Sequence, residues 1–256
     1  MVPGAKAMDW KGWKPYLCNV NSKPASIFVN LDLIGSAPIS SKTWLLWTWV
    51  YFKSPRPDGL SDSAEAPKLY EIEDALIACV TEACNAMPCG RITTEGRREF
   101  YFYGETKRGF HRAASKAMSG FEGYSFDLGE QADPRWEQYL NVLYPSPESR
   151  QRISNMDLLD VLVKQGDVLT VAREVDHWIL FGSESSRSLF RGAANAAGFT
   201  IADESKVESE PTFVIKVTRK QPIDQNSIDK TVIELLNLSR KFGGDYDGWE
   251  TPVVTQ

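Results

Sequence analysis

Residues 176–199, DHWILFGSESSRSLFRGAANAAGF, decide how the chain is read. The run 176–181 is dominated by aromatic and aliphatic side chains and is closed by Gly182, the pattern of a strand and its end. Leu189, Phe190, Ala193, Ala194 and Ala197 then recur at helical spacing until Gly198 stops them, and Phe199 opens a second strand. Working outward, 212–218 (TFVIKVT) is a third strand. After Pro222 comes a long helix with Ile228, Val232, Leu235 and Phe242 on its inner face and Gly243-Gly244 as its stop. A last strand includes Trp249 and Val253, and a helix over 154–165, ended by Gly166, leads the series. Strand, helix, strand, strand, helix, strand is the ferredoxin-like order, one antiparallel sheet with helices on one face.

Upstream, 26–33 (SIFVNLDL) and 44–52 (WLLWTWVYF) are strand-like runs separated by a Gly/Ser/Pro stretch, expected to pair with each other. Pro67 suits a first helical turn, and Leu69, Ile72, Leu76, Val80, Ala83 and Met87 form an apolar stripe that Pro88 ends. Residues 91–103 predict a hairpin with Glu95-Gly96 at its tip and Phe100 to Tyr103 buried on both faces. Phe110, Ala113, Ala114, Ala117 and Met118 predict a second helix capped by Gly120, followed by a strand over 121–128 and a short helix over 135–143. Pro145-Ser146-Pro147 is a rigid break. The expected organisation is α+β, two α/β-sandwich domains at 1–147 and 148–256, the second ferredoxin-like. A shared spacing, Tyr103-Gly104, Phe110, Ala113-Ala114, Gly120-Phe121 against Phe181-Gly182, Phe190, Ala193-Ala194, Gly198-Phe199, suggests a duplicated architecture.

With 42% hydrophobic and 25% charged residues, composition excludes a disordered, collagenous or disulfide-scaffold chain. The net charge of −5 argues against a dominant role in binding nucleic acid. Four cysteines suit reduced thiols rather than a secreted framework. Residues 1–10 carry no signal-like apolar stretch and 44–52 is too short to span a bilayer, so a cytoplasmic location without membrane association is expected.

Catalytic signatures are sparse. GxxxxGK, GxGxxG, GxSxG and HExxH do not occur, and His111 and His177 are the only histidines. On a strand Asp176 and His177 point to opposite faces, so the acid cannot orient the imidazole, and a structural His177 is expected; His111 should face solvent. Cys79, Cys84 and Cys89, five apart, scatter around a helix and make a poor metal clip, which leaves small core thiols. Asp133 with Glu137, and Glu71 with Glu73 and Asp74, are explained as helix-start acids and a solvated face. Phe100 to Tyr103 are weighed as a base-stacking platform with Arg97, Arg98, Lys107 and Arg108 beside them, but core is favoured. No catalytic residues, metal or cofactor are assigned.

The run 176–181, the Ala-rich helix into Gly198-Phe199 and Tyr246-Asp247-Gly248-Trp249-Glu250-Thr251 make residues 155–251 resemble the B-type regulators of ribonuclease E activity, with YDGWET the most specific piece. That resemblance implies a compact ferredoxin-like fold and a protein inhibitor that binds an endoribonuclease and alters RNA decay; it brings no catalytic residues. Residues 13–143 are similar to a separate bacterial family of unknown function, often fused to the first, through 27–31 (IFVNL), Asp58-Gly59-Leu60, Gly90-Arg91-Ile92-Thr93 and 98–103 (REFYFY). The extra domain and the lack of a long acidic tail after Trp249 depart from the founding regulator.

Charge supports a binding module, because residues 148–256 carry −4 against −1 over 1–147, and an acidic surface suits a basic protein partner. Trp249, flanked by Asp247 and Glu250, together with Trp178, is the expected partner-binding set, with Trp249 as anchor. Its competing role is packing on the helix that begins near Ile228. The expected function is therefore a non-catalytic protein-binding module regulating a ribonuclease E-type enzyme or RNA-processing complex. The alternatives are an enzyme with an inter-domain site and single-stranded nucleic-acid binding through the aromatic strand.

Overall fold

The computed structural model describes residues 10–207 and 211–255. The reading of residues 1–10 lies outside these, apart from Trp10. The chain separates into two compact units, Met1–Ser149 and Arg150–Gln256.

In the first unit the elements are β1 (Trp13–Val20), β2 (Lys23–Asn30), β3 (Trp44–Tyr51), α1 (Ala66–Cys84), β4 (Met87–Thr94), β5 (Arg97–Gly104), α2 (Phe110–Met118) and β6 (Phe126–Ala132). Among the described residues the strands form one antiparallel sheet in the order β1-β2-β4-β5-β3-β6. The two runs at 26–33 and 44–52 are therefore not a pair. The β4–β5 hairpin, turned at Glu95 and Gly96 with φ of +48° and +77°, inserts between β2 and β3. Helices α1 and α2 bury Leu69, Ile72, Leu76, Val80, Phe110, Ala114 and Met118 against Leu46, Val50, Phe100 and Phe102. Tyr101 and Tyr103 are buried on the other face, so all four aromatics of the run are core.

Local chemistry corrects several boundaries. Asn85 in the left-handed region ends α1 before Pro88, and Met87 starts β4. Helix α2 stops at Ser119 in a right-handed conformation, so Gly120 is not its cap. Strand β6 begins five residues later than 121, and β1, whose polar alternation hid it, was not anticipated. Asp133 accepts hydrogen bonds from the N–H groups of Glu137 and Gln138, which starts the short π-helical turn Tyr139–Leu143.

Helix α3 (Pro147–Lys164) leads into the second unit, followed by β7 (Arg173–Phe181), α4 (Glu184–Ala196), β8 (Thr200–Lys206), β9 (Phe213–Gln221), α5 (Gln225–Lys241) and β10 (Gly244–Glu250). The antiparallel sheet has the order β10-β7-β9-β8, the ferredoxin-like arrangement. Val175, Ile179 and Phe181 of β7 and Ile215 and Val217 of β9 point to the helices, against Leu159, Leu162, Phe190, Ala194, Ile228, Val232 and Leu235. Leu189 is 63% exposed; Arg187 takes the buried place instead, its guanidinium donating to the carbonyls of Ser205 and Val214. Val253 lies beyond β10 and is exposed.

The order β3-α1-β4-β5-α2-β6 with strand neighbours β6-β3-β5-β4 repeats this topology in the first unit, the β1–β2 hairpin being added beside β4. The duplicated spacing read from sequence is not its trace. Tyr103-Gly104 precedes α2, the counterpart of α5, whereas Phe181-Gly182 precedes α4, the counterpart of α1.

Gly244 opens β10 opposite Phe181, and a Cβ there would stand 2.2 Å from Phe181 Cε1. Because Phe181 is buried against Phe190, the ring has little room to yield. Gly244→Ala is expected to lower the unfolding free energy of the second unit by about 1–3 kcal/mol, measured by urea denaturation of the full chain.

Candidate partner-binding face

Period-2 alternation divides β7 between two environments. Arg173, Val175, His177, Ile179 and Phe181 are buried on the helical side, whereas Glu174, Asp176, Trp178 and Leu180 face away from α4 and α5. The register continues this second face across the sheet in rows. Glu250, Asp176, Thr218 and Thr200 form one, Gly248, Trp178, Lys216 and Asp203 the next, Asp245, Leu180, Val214 and Ser205 the third. Among the described residues, the helices pack against the opposite face. At its centre Lys216 Nζ lies 5.4 Å from the Trp178 ring centroid and 2.8 Å from Asp176 Oδ2. Burial pushes the Asp176 carboxyl upward, but hydrogen bonds from Lys216 and Thr218 and the Lys216 charge outweigh it and hold the group below its usual range. The face is thus acidic at Glu174, Asp176, Asp203, Asp245 and Glu250, against Lys216 and Lys220, around one half-buried indole.

The four residues expected to act together do not form one cluster. Trp178 and Glu250 share the open face, and Asp247 is exposed at the edge. Trp249 turns to the other side. Tyr246 pairs with Ile179 and Gly248 with Trp178, so Asp247 is an extra residue, a bulge that shifts parity and puts Tyr246 and Trp249 on the same, helical face. There Trp249 packs at the border of the core, and its Nε1–H donates to Asn155 Oδ1 at 2.9 Å. Asn155 Nδ2 donates to Asp229 Oδ1 at 2.8 Å, and Arg152 Nη1 to Asp229 Oδ2 at 3.0 Å. The packing role weighed in the sequence is the observed geometry, although the hydrogen-bond partner sits on α3.

His177 is fully buried, with Nδ1 2.8 Å from the Tyr246 hydroxyl and no hydrogen-bond partner at Nε2 among the described residues. Burial, followed by the nearby Arg219 charge, pushes its pKa down to about 3, with Asp176 opposing weakly. Asp176 lies across the backbone and does not touch the ring, so the pair is no dyad. Sequence reasoning missed Lys216 and Asp203 on the open face, although the parity of β7 and β9 carried that information. It also missed Arg173, which donates to Asp167 Oδ2 at 2.6 Å and to the carbonyls of Val168 and Pro252.

Two stability measurements follow. Trp249→Ala should cost about 2–4 kcal/mol, and Trp249→Phe about 1–2 kcal/mol by leaving Asn155 Oδ1 unmet, both read from urea midpoints. The depressed His177 pKa means that below pH 6.5 the unfolded chain takes up a proton the folded chain refuses. Stability is therefore full above about pH 6.5 and falls as pH drops toward 3, by at most about 1.4 kcal/mol per pH unit. In His177→Gln the slope between pH 6.5 and about 4.5, above the carboxylate range, should shrink.

A family of unknown function, DUF695, matches residues 11–144, and regulator of ribonuclease activity B (RraB) matches residues 152–251. No curated protein matches the chain. One similar solved structure is an unknown protein from Galdieria sulphuraria, at 12% identity over 82% of this chain and 99% of that one, with a TM-score of 0.23. Another is a putative glycine cleavage system transcriptional repressor, at 10% identity over 82% and 98%, with a TM-score of 0.26. Likenesses this faint bear on neither fold detail nor function. The open acidic face thus lies within the regulator-matched region, and through the match that spans over half of its length the chain belongs to the DUF695 family, with an RraB region as its second part.

Proposed function

We propose that the protein is a non-catalytic, cytoplasmic regulator that binds a ribonuclease E-type endoribonuclease, or a complex containing one, and lowers its activity. The observation that supports this most is the open sheet face of the RraB-matched unit, acidic at its margins with Trp178 at its centre. A central indole with a polar surround is the composition of an interface anchor. The acidic margin favours encounter with a basic segment, which is what an RNA-binding enzyme exposes to its substrate, and this attraction weakens with salt. Trp249, held by Asn155, supports the face from behind as a positioning residue, while Trp178, Asp176 and Glu250 make contact. Residues 148–256 are expected to carry this activity and to fold alone.

The test is calorimetric titration of the full chain, and of 148–256, into a purified ribonuclease E-type enzyme, with RNA cleavage followed in parallel. Trp178→Ala and Glu250→Lys, each checked for an unchanged circular dichroism spectrum, should weaken binding by about tenfold or more, equivalent to about 1.4 kcal/mol. Full affinity in both folded variants would place the contact elsewhere, and no binding by the unaltered chain would end this reading.

A further inference from the structure

The segment 106–119 holds Lys107, Arg108, His111, Arg112 and Lys116 without one carboxylate, in a chain whose net charge is −5. Two of these side chains are engaged locally: Lys107 and His111 both contact Glu130 of β6, and Lys107 also lies over the Trp44 ring. The side chains of Arg108, Arg112 and Lys116 have no ion-pair partner among the described residues. Arg112 and Lys116, one turn apart on α2, line an open groove of about 440 Å³ between α1 and α2, with Cys79, Glu82, Ala83, Gly109 and Ala113.

Two further features make this groove suited to anions. Gly109, in the left-handed region at φ +86°, starts α2 without a side-chain cap, and nothing stands within 4 Å of where its Cβ would be. Gly109 lines the groove at the N-terminal end of α2, where the helix dipole is positive. Arg112 and Lys116 are about 6 Å apart along the helix axis, a spacing suited to successive phosphates of an extended strand, and the exposed Arg108 lies two residues before the helix. Glu82 is the one carboxylate among the residues lining the groove.

We propose that this groove of the first unit binds the phosphate backbone of single-stranded nucleic acid, with Arg112 and Lys116 as principal contacts and Arg108 beside them. The overall negative charge, which disfavours nucleic-acid binding when averaged over the chain, is offset here by concentrating free cations on one helix. The buried aromatics of β5 take no part. The inference is independent of the ribonuclease reading, which uses the other unit.

The experiment titrates the full chain into a fluorescently labelled oligouridylate at low ionic strength and follows anisotropy. Three neutralised phosphates should give a slope of log affinity against log salt of about −2. Arg112→Gln with Lys116→Gln, both exposed, should reduce affinity by about tenfold, whereas Glu82→Gln should raise it by about two- to threefold through removal of a repelling charge. Bound oligonucleotide should slow alkylation of the Cys79 thiol, which lines the groove, and leave the half-buried Cys18 unaffected. Trp178→Ala should leave all of this unchanged, so failure here and failure of the ribonuclease reading are distinguishable. Absence of binding, equal affinity in the folded double variant, or unprotected Cys79 in the complex would overturn the proposal. So would binding only to anionic lipid vesicles or to an acidic polypeptide.

Discussion

Strand β7 has helices on one side only, and the layout of the second unit follows from that asymmetry. The inward residues Val175, Ile179 and Phe181 are fully committed to the core beneath α4 and α5. The outward face carries only a short aliphatic pair, Leu180 beside Val214, and filling the whole face with aliphatic side chains would create a large patch prone to association. The chain uses charges there instead, and ties the central ones down: Asp176 is held by Lys216 and Thr218. Asp176 and Lys216, already held in place, lose little conformational entropy on binding. Trp178, next to the Leu180–Val214 pair, is a broad apolar ring in an acidic field.

The two units share a topology and use it differently. In the first, the face away from α1 and α2 is itself partly covered, because the segment with Trp136 and Tyr139 lies on it. Trp136 stacks on Tyr103 at a centroid distance of 4.0 Å, and the Tyr103 hydroxyl donates to Asp133 Oδ2. The aromatic strand that could have been a platform is consumed as core on both sides. The second unit leaves its corresponding sheet face without such a cover, with carboxylates around Trp178.

Much of the fold was legible because it rests on local chemistry. The hairpin tip at Glu95-Gly96, the helical stripe at 110–118 and the strand 176–181 each carry their period and punctuation within a dozen residues. Strand neighbours were harder: β2 and β3 are close in sequence, yet the hairpin that separates them arrives some forty residues later. The site was half legible. Parity in β7 separates Asp176 and Trp178 from His177 in any strand reading, whereas the bulge at Asp247 is set by pairing with β7 and leaves no mark in YDGWET itself. A one-residue insertion reverses which way every following side chain points, and so Trp249 belongs to the interior. Arg187 escaped for a related reason, since an arginine on an apolar face is acceptable only where carbonyls await it, and those come from β8 and β9.

Helix α3 is tied to the last few described residues at two places. At its middle Asn155 receives the Trp249 indole, and just past its end Asp167 and Val168 are bonded to the backbone of Val254, with Arg173 reaching the Pro252 carbonyl. Residues 249–254 therefore work as a strap rather than a tail. A protease cutting after Gly248 would undo both contacts together and bare the apolar seam formed by Leu159 and Leu162. An apolar seam bared in this way favours association, so a cut within the strap would leave the second unit prone to aggregate.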